Sequence, residues 1–275
     1  MQVAQQTQQE FASKAYVLVR QFISPQDREQ LFQHALERSK TATMKADRLV
    51  EGTPAAYADP YMEELLERLL PVVEAITILK LFPTYSYFRV YKRGDVLTRH
   101  QDRMSCEISV TASLGGAAPS PWPIWIEGPQ GATPVSMEPG DGAIYRGIEC
   151  AHWREPFDGD LAAQVFLHYV DQHGPHAEWK FDKRKRLGTI PRSVHIADQN
   201  QFRLHPDGVL QPASGEKISL YPIEAAVWRH LEAGRAVPQI IEEVMRDFSL
   251  SRCEAEVYVT QFISFGEKES LLQAS

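Results

Sequence analysis

The sequence predicts an α+β protein in three consecutive parts. Two amphipathic helices come first, then seven or eight short strands forming an antiparallel barrel or sandwich, then a small domain of three strands and three helices. Three observations predict it. Apolar residues recur at helical spacing between Pro25 and Leu70, alternate at a period of two from about Thr84 to Val170, and return to helical spacing after Pro222. Turn signals such as Pro139-Gly140-Asp141-Gly142 separate the alternating runs. A length of 275 residues with 43% hydrophobic and 24% charged content suits one large or two medium globular domains.

In chain order, residues 1–12 read as a loose polar tail and Ala15 to Val19 as a short strand. Ser24 is a good N-cap and Pro25 suits a first helical position, so a helix is expected over 25–39, with Leu31, Phe32, Ala35 and Leu36 on its buried stripe. A polar loop over 40–58 leads to a second start signal at Asp59-Pro60. Met62, Leu65, Leu66, Leu69 and Leu70 give that helix its buried face, and Pro71 is expected to kink or end it. Both helices should back a sheet.

The strand run then begins. In YSYFRVY, Tyr85, Tyr87, Arg89 and Tyr91 fall on one face and Ser86, Phe88 and Val90 on the other. Lys92-Arg93-Gly94-Asp95 breaks the strand. Cys106 to Leu114 follows, with Ile108 and Val110 alternating against Glu107, Ser109 and Thr111, then Trp122 to Ile126, Thr133 to Met137, Ala143 to Tyr145, and Ala163 to Val170. The aromatic residues Tyr85, Tyr87, Trp122, Trp125, Tyr145 and Trp153 suit either the core or the lining of a substrate pocket.

Charge and cysteine content narrow the function classes. A net charge of −7 argues against an electrostatically driven nucleic-acid or anionic-membrane partner. Cys106, Cys150 and Cys253 are scattered, with no C-x-x-C spacing, which fits a reduced compartment and no zinc site. The N-terminus has neither a basic nor an apolar signal region, and no run reaches membrane-spanning length, so a cytoplasmic protein is expected.

The chemistry-bearing stretch is Tyr85 to Asp102, joined by His152 about fifty residues on. His100 and Asp102 stand two apart and point the same way from an extended backbone. With a second imidazole from elsewhere they make a 2-His-1-carboxylate triad, which suits non-haem Fe(II) because three coordination positions stay open. The tripeptide alone reads more readily as a surface histidine hydrogen-bonded to a nearby aspartate, and its context decides.

The order helix, helix, strand, His-x-Asp, Pro-Gly-Asp turn, distal His and final strand resembles the 2-oxoglutarate/Fe(II)-dependent dioxygenase superfamily. YVLVRQFISPQDREQLFQHAL and FRVYKRGDVLTRHQD are most similar to its prolyl-4-hydroxylase-like branch, over about residues 13–171. The resemblance implies a double-stranded β-helix, or jelly roll, backed by the N-terminal helices. It makes His100, Asp102 and His152 the iron ligands and Tyr91, nine residues before His100, a contact of the 2-oxoglutarate carboxylate.

One departure stands out. The superfamily carries a Lys or Arg on its last core strand, but Leu161 to Leu167 contains no basic residue. A buried dianion needs a cation. Arg89, Arg154 and Arg103 are the candidates, with Gln164 and His168 able to add neutral hydrogen bonds. Arg89 has an alternative role in pairing with Glu107 across the sheet.

The polar, basic segment 172–192 reads as a linker, and 193–275 as a separate domain. Its pattern, including ISLYPIEAAVWRHLEAGRAVPQIIEEV, resembles a PqqD-like domain, a small winged-helix-like module. Members of that family can bind the leader of a ribosomally made peptide by β-augmentation; packing on the barrel or dimerisation are the other roles open to it. The combined resemblance implies a dioxygenase using Fe(II), 2-oxoglutarate and O2 to hydroxylate an aliphatic C–H, with a peptide or protein as substrate. The alternatives are a cupin-type metal enzyme that does not use 2-oxoglutarate, and a non-catalytic peptide-binding adaptor.

Overall fold

A computed structural model of the chain describes residues 2–274 except 41–43, 45–47, 192 and 199. The side chain of Cys253 and part of the expected 40–58 loop lie outside the described residues. The chain divides into two compact units, Met1–Leu187 and Gly188–Ser275.

The first unit opens with α1 (Gln2–Lys14), where the sequence suggested a loose tail. One residue explains the difference. Phe11 is only 2% exposed and joins the main hydrophobic core, so a helix of otherwise polar composition is anchored by a single aromatic. After β1 (Tyr16–Val19) comes α2 (Pro25–Ser39), starting where predicted, with the Ser24 hydroxyl accepting the Asp27 amide at 3.1 Å. Strand β2 (Ala55–Tyr57) precedes α3 (Pro60–Thr77). Asp59 caps α3 and also binds His34 and Arg38 of α2, at 2.9 and 3.3 Å. Burial pushes the Asp59 carboxyl up, but these two partners outweigh it and hold it below its ordinary value.

Pro71 does not end α3, which runs on to Thr77. The proline sits on the exposed side of the helix, so the carbonyl it cannot bond faces water. A left-handed residue, Ile78 with φ of 58°, stops the helix instead.

Eight strands follow: β3 (Leu81–Lys92), β4 (Leu97–His100), β5 (Ile108–Ala117), β6 (Ile124–Gly128), β7 (Gly131–Val135), β8 (Gly142–Arg146), β9 (Ala151–Arg154) and β10 (Leu161–Asp171). They form two antiparallel sheets, one ordered β1-β8-β5-β10-β3-β2 and the other β4-β9-β6-β7. Phe88, Val110, Val165 and Leu167 project from the larger sheet into the core shared with α2 and α3. The opposite face turns toward the smaller sheet, where Tyr145 packs with Ile124 and Ile126. This is the jelly-roll arrangement the family resemblance implied, with α2 and α3 backing the larger sheet.

The segment after β10 differs from the expected linker. Through Leu187 it belongs to the first unit. It makes short 3₁₀ turns within Ala177–Lys183, interrupted by a kink at Lys180 to Asp182, and Arg184 bonds the fully buried Glu63 carboxylate at 2.6 Å. Its basic residues are used locally: Lys180 sits 4.6 Å from the Phe82 ring centre and Lys183 3.9 Å from that of Trp179.

The second unit contains β11 (Val194–Ile196), β12 (Phe202–Leu204), β13 (Val209–Pro212), β14 (Ile218–Ser219), α4 (Pro222–Glu232), α5 (Val237–Phe248), α6 (Arg252–Lys268) and β15 (Leu272–Ala274). The β12-β13-β14 sheet and the three helices match the predicted pattern. The β11–β15 pair, which brings the two ends of the unit together, was not foreseen. Fully buried Trp228 centres the core. No helix among the described residues is long and apolar enough to cross a membrane.

Arg184→Met leaves the Glu63 carboxylate buried without that guanidinium, and should lower unfolding free energy by about 3 kcal/mol, measured by urea denaturation.

Candidate metal centre

The cavity between the two sheets is built by strand alternation. Tyr85, Tyr87, Arg89 and Tyr91 of β3 all line it, while Phe88 and Val90 face the helix-backed core. The Lys92–Asp95 turn then reverses the chain. Asp95 accepts the Lys92 amide at 2.9 Å, and Gly94 adopts φ of 88°, a conformation favouring glycine. Strand β4 returns to pair with β9, placing His100 directly opposite His152.

Three ligand atoms converge there. Asp102 Oδ1 lies 3.8 Å from His100 Nε2 and 3.7 Å from His152 Nε2. One donor atom from each of the three residues falls within 4.8 Å of the others. Each imidazole is oriented by the carbonyl two residues before it, His100 Nδ1 by Thr98 O at 2.8 Å and His152 Nδ1 by Cys150 O at 3.0 Å. A carbonyl can only accept, so both Nδ1 atoms carry the proton and both Nε2 lone pairs point inward. Burial pulls the His152 pKa below its ordinary value, which favours the neutral, metal-binding form. Two imidazole nitrogens and one carboxylate oxygen on one side of a cavity are the donor set that suits Fe(II) with open positions.

The cavity encloses about 680 Å³. The sequence-derived cosubstrate candidates separate within it. Tyr91, Arg89 and Arg103 lie on its wall, whereas Arg154 and Gln164 are not among the lining residues. Arg103 makes a bidentate pair with Asp182, at 2.9 and 2.8 Å, and sits 4.6 Å over the Tyr85 ring. Arg89 is buried, with Tyr91 and Tyr87 ring centres 5.5 and 5.8 Å from its guanidinium carbon. Glu107, the across-sheet partner considered for Arg89, accepts the Asp171 amide at 2.9 Å.

Arg154 is the unusual group. It is fully buried, donates to Trp122 O at 2.6 Å and more weakly to Gln164 Oε1 at 3.4 Å, and its Nε makes no hydrogen bond among the described residues. No ion pair of Arg154 is found among the described residues, and burial pulls its pKa down to about 10. On β5, Ser109, Thr111 and Ser113 alternate with core-facing Val110 and Ala112, and the buried Thr111 hydroxyl likewise makes no hydrogen bond among the described residues. These are two buried polar groups with unmet hydrogen-bonding capacity among the described residues, one of them cationic.

Sequence reasoning missed Thr111 and Asp182. The period-two run of hydroxyl residues on β5 was the available signal for the first. Asp182 stood in a basic stretch and gave none. Of the six aromatic residues singled out, Tyr85 and Tyr87 line the cavity and Tyr145 is buried core. Trp122 packs on Tyr91 and Phe157, and Trp125 stacks on Trp153 from adjacent strands. Cys106 and Cys150 are buried, though Cys106 reaches the cavity wall, 3.1 Å from the Tyr85 hydroxyl.

No family model matches the sequence, and no curated protein matches it. Among solved structures, the chain is similar to the non-haem alpha-ketoglutarate-dependent epimerase SnoN from nogalamycin biosynthesis, with a TM-score of 0.53 and 10% identity over 62% of this chain and 83% of that one. It is similar to a Pseudomonas putida prolyl-4-hydroxylase, with a TM-score of 0.50 and 16% identity over 60% of this chain and 98% of that one. It is also similar to a Trichoplax adhaerens prolyl hydroxylase, in complex with a hypoxia-inducible-factor oxygen degradation domain peptide fragment, with a TM-score of 0.51 and 12% identity over 62% and 90%. At these identities the likeness establishes a shared fold.

Fe(II) or Co(II) added without oxygen should stabilise the chain by about 2.7 kcal/mol at a hundredfold excess over Kd, read as a rise in melting temperature, and His152→Ala should abolish the rise.

Proposed function

We propose that this chain is an Fe(II)- and 2-oxoglutarate-dependent oxygenase that hydroxylates an aliphatic C–H of its substrate. The observation that carries the reading is the convergence of His100 Nε2, Asp102 Oδ1 and His152 Nε2 in a cavity between the two sheets. The orphaned Arg154 and Thr111 groups support a carboxylate-bearing cosubstrate.

When bound, Fe(II) and 2-oxoglutarate supply the oxidation: with O2 the cosubstrate becomes succinate and CO2, one oxygen atom entering succinate and the other the substrate C–H. The chain's own residues bind and orient. His100, Asp102 and His152 hold the ion from one side. Tyr91 on the cavity wall meets the far carboxylate, and Arg154, buried behind the wall within electrostatic reach of Tyr91, supplies the positive charge missing from β10, while Gln164 keeps Arg154 in place. Arg89 adds positive charge on the cavity wall. Arg103 is committed to Asp182 and shapes the wall through Tyr85. The tyrosines and Phe166 exclude water around the reacting C–H.

The substrate is a peptide or protein recruited by the second unit, acting as a PqqD-like module. The support is its β12-β13-β14 sheet, with two edge strands, followed by three helices. Edge strands offer unpaired backbone groups for β-augmentation. Deleting 188–275 should weaken peptide binding while leaving substrate-free succinate formation intact; unchanged peptide affinity would remove the recruitment role.

The absent last-strand cation favours a second reading, a cupin-type metal enzyme that does not use 2-oxoglutarate. Anaerobic addition of 2-oxoglutarate to the Fe(II)-loaded chain separates the two, because chelation produces a weak visible charge-transfer band. The oxygenase reading expects that band, and expects His100→Ala or Asp102→Ala to end succinate formation. Arg154→Met should raise the 2-oxoglutarate concentration for half-saturation by roughly tenfold or more, as loss of a charged hydrogen-bonding partner predicts, with metal affinity little changed.

A further inference from the structure

The two oxygens of Asp102 have different neighbours. Oδ1 is the atom facing both imidazoles, at 3.8 and 3.7 Å. Oδ2 accepts a hydrogen bond from Ser109 Oγ at 2.6 Å. Ser109 Oγ also lies 2.9 Å from His168 Nδ1, and Ser109 stands directly opposite His168 across the β5–β10 pair. A serine has one proton to give. The short bond assigns it to the carboxylate, so His168 Nδ1 must carry its own proton and donate to Oγ.

A glycine completes the arrangement. A Cβ at Gly147 would lie 2.5 Å from Asp102 Oδ2, 2.6 Å from Ser109 Oγ and 2.3 Å from Cys106 O. The backbone can pass over this chain of groups only without a side chain. Gly147 O also accepts the Asp102 amide at 3.0 Å, which fixes the residue from its main chain.

We propose that Ser109 and His168 are positioning residues that present Asp102 to the metal through Oδ1 alone, beneath a cover formed by Gly147. The inference rests on the metal reading above. A carboxylate free to rotate can chelate through both oxygens and take an additional coordination position. With Oδ2 tied to Ser109, the three protein ligands take three positions and leave the rest open.

A rival role exists for the same residues. Asp102, Cys106 and His168 also offer donor atoms within 4.8 Å of one another, as a second ion would require. The hydrogen bonds oppose it, since Asp102 Oδ2 is engaged with Ser109 and Cys106 Sγ contacts the Tyr85 hydroxyl.

The test is anaerobic titration of the full chain with Co(II), followed by affinity, stoichiometry and the visible d–d spectrum. The wild type should bind one equivalent. Ser109→Ala should lose affinity by roughly 10- to 100-fold, the range for outer-shell partners of metal ligands, with an altered spectrum. Ser109→Thr, which keeps the hydroxyl, should restore both, and His168→Asn, which keeps a donor near the Nδ1 position, should fall between. Melting of the metal-free variants establishes that they fold; if Gly147→Ala does not fold, Ser109→Ala still decides. Wild-type affinity and spectrum in both Ser109→Ala and His168→Asn would overturn the positioning role and leave the metal reading standing. A second equivalent lost on Cys106→Ala would overturn it in favour of a two-metal site. No His152-dependent binding in the wild type would remove the metal reading and this inference together.

Discussion

The site depends on a constraint set by three adjacent strands, β3, β10 and β5. Each is long, and each sends alternate side chains to opposite faces. One face meets α2 and α3 with Phe88, Val165 and Val110. The other supplies Tyr85, Arg89, His168, Ser109 and Thr111 to the space facing the smaller sheet. A one-residue slip in any strand would drive polar groups into the helix-backed core and expose its apolar set inside the cavity. Burial of that core therefore fixes the register, and the register fixes where the chemistry-bearing groups stand.

The smaller sheet contributes through a single pairing. With β4 opposite β9, His100 and His152 become cross-strand neighbours, their ring centres 4.2 Å apart. Non-local hydrogen bonding thus does what no stretch of sequence can. It brings together two residues 52 positions apart, 152 − 100, while the two-residue step to Asp102 supplies the third member of the candidate metal set locally.

Behind the cavity wall the polar inventory is unbalanced. Burying Arg154 costs several kcal/mol unless an anion or a full set of acceptors answers it, and two carbonyl-type contacts leave its Nε unmatched. The opposite case stands at the cavity wall, where Arg103 is matched to Asp182, which also accepts from Tyr57 at 2.6 Å. Asp182 sits among three consecutive non-glycine residues, Phe181 to Lys183, with φ of 53°, 55° and 61°. Such conformations are disfavoured and persist where surrounding contacts over-determine them. The chain accepts that strain beside the cavity, and in return the Arg103 guanidinium is matched by a carboxylate.

By itself, the sequence determined the locally encoded features. These are the helix starts at Ser24 and Asp59, the alternation of Tyr85 to Tyr91, the His-x-Asp step, and the helical pattern of the second unit, all set by capping chemistry or side-chain period. Tertiary structure alone decided the rest. It turned a polar tail into a helix through Phe11, carried α3 past Pro71 on its wet side, and folded the expected linker back through Arg184 and Glu63. It also separated Arg103 from Arg154, two arginines indistinguishable as letters. The reason is physical: propensity and period act over a few residues, whereas burial and ion pairing depend on which distant groups the fold brings within a few ångströms.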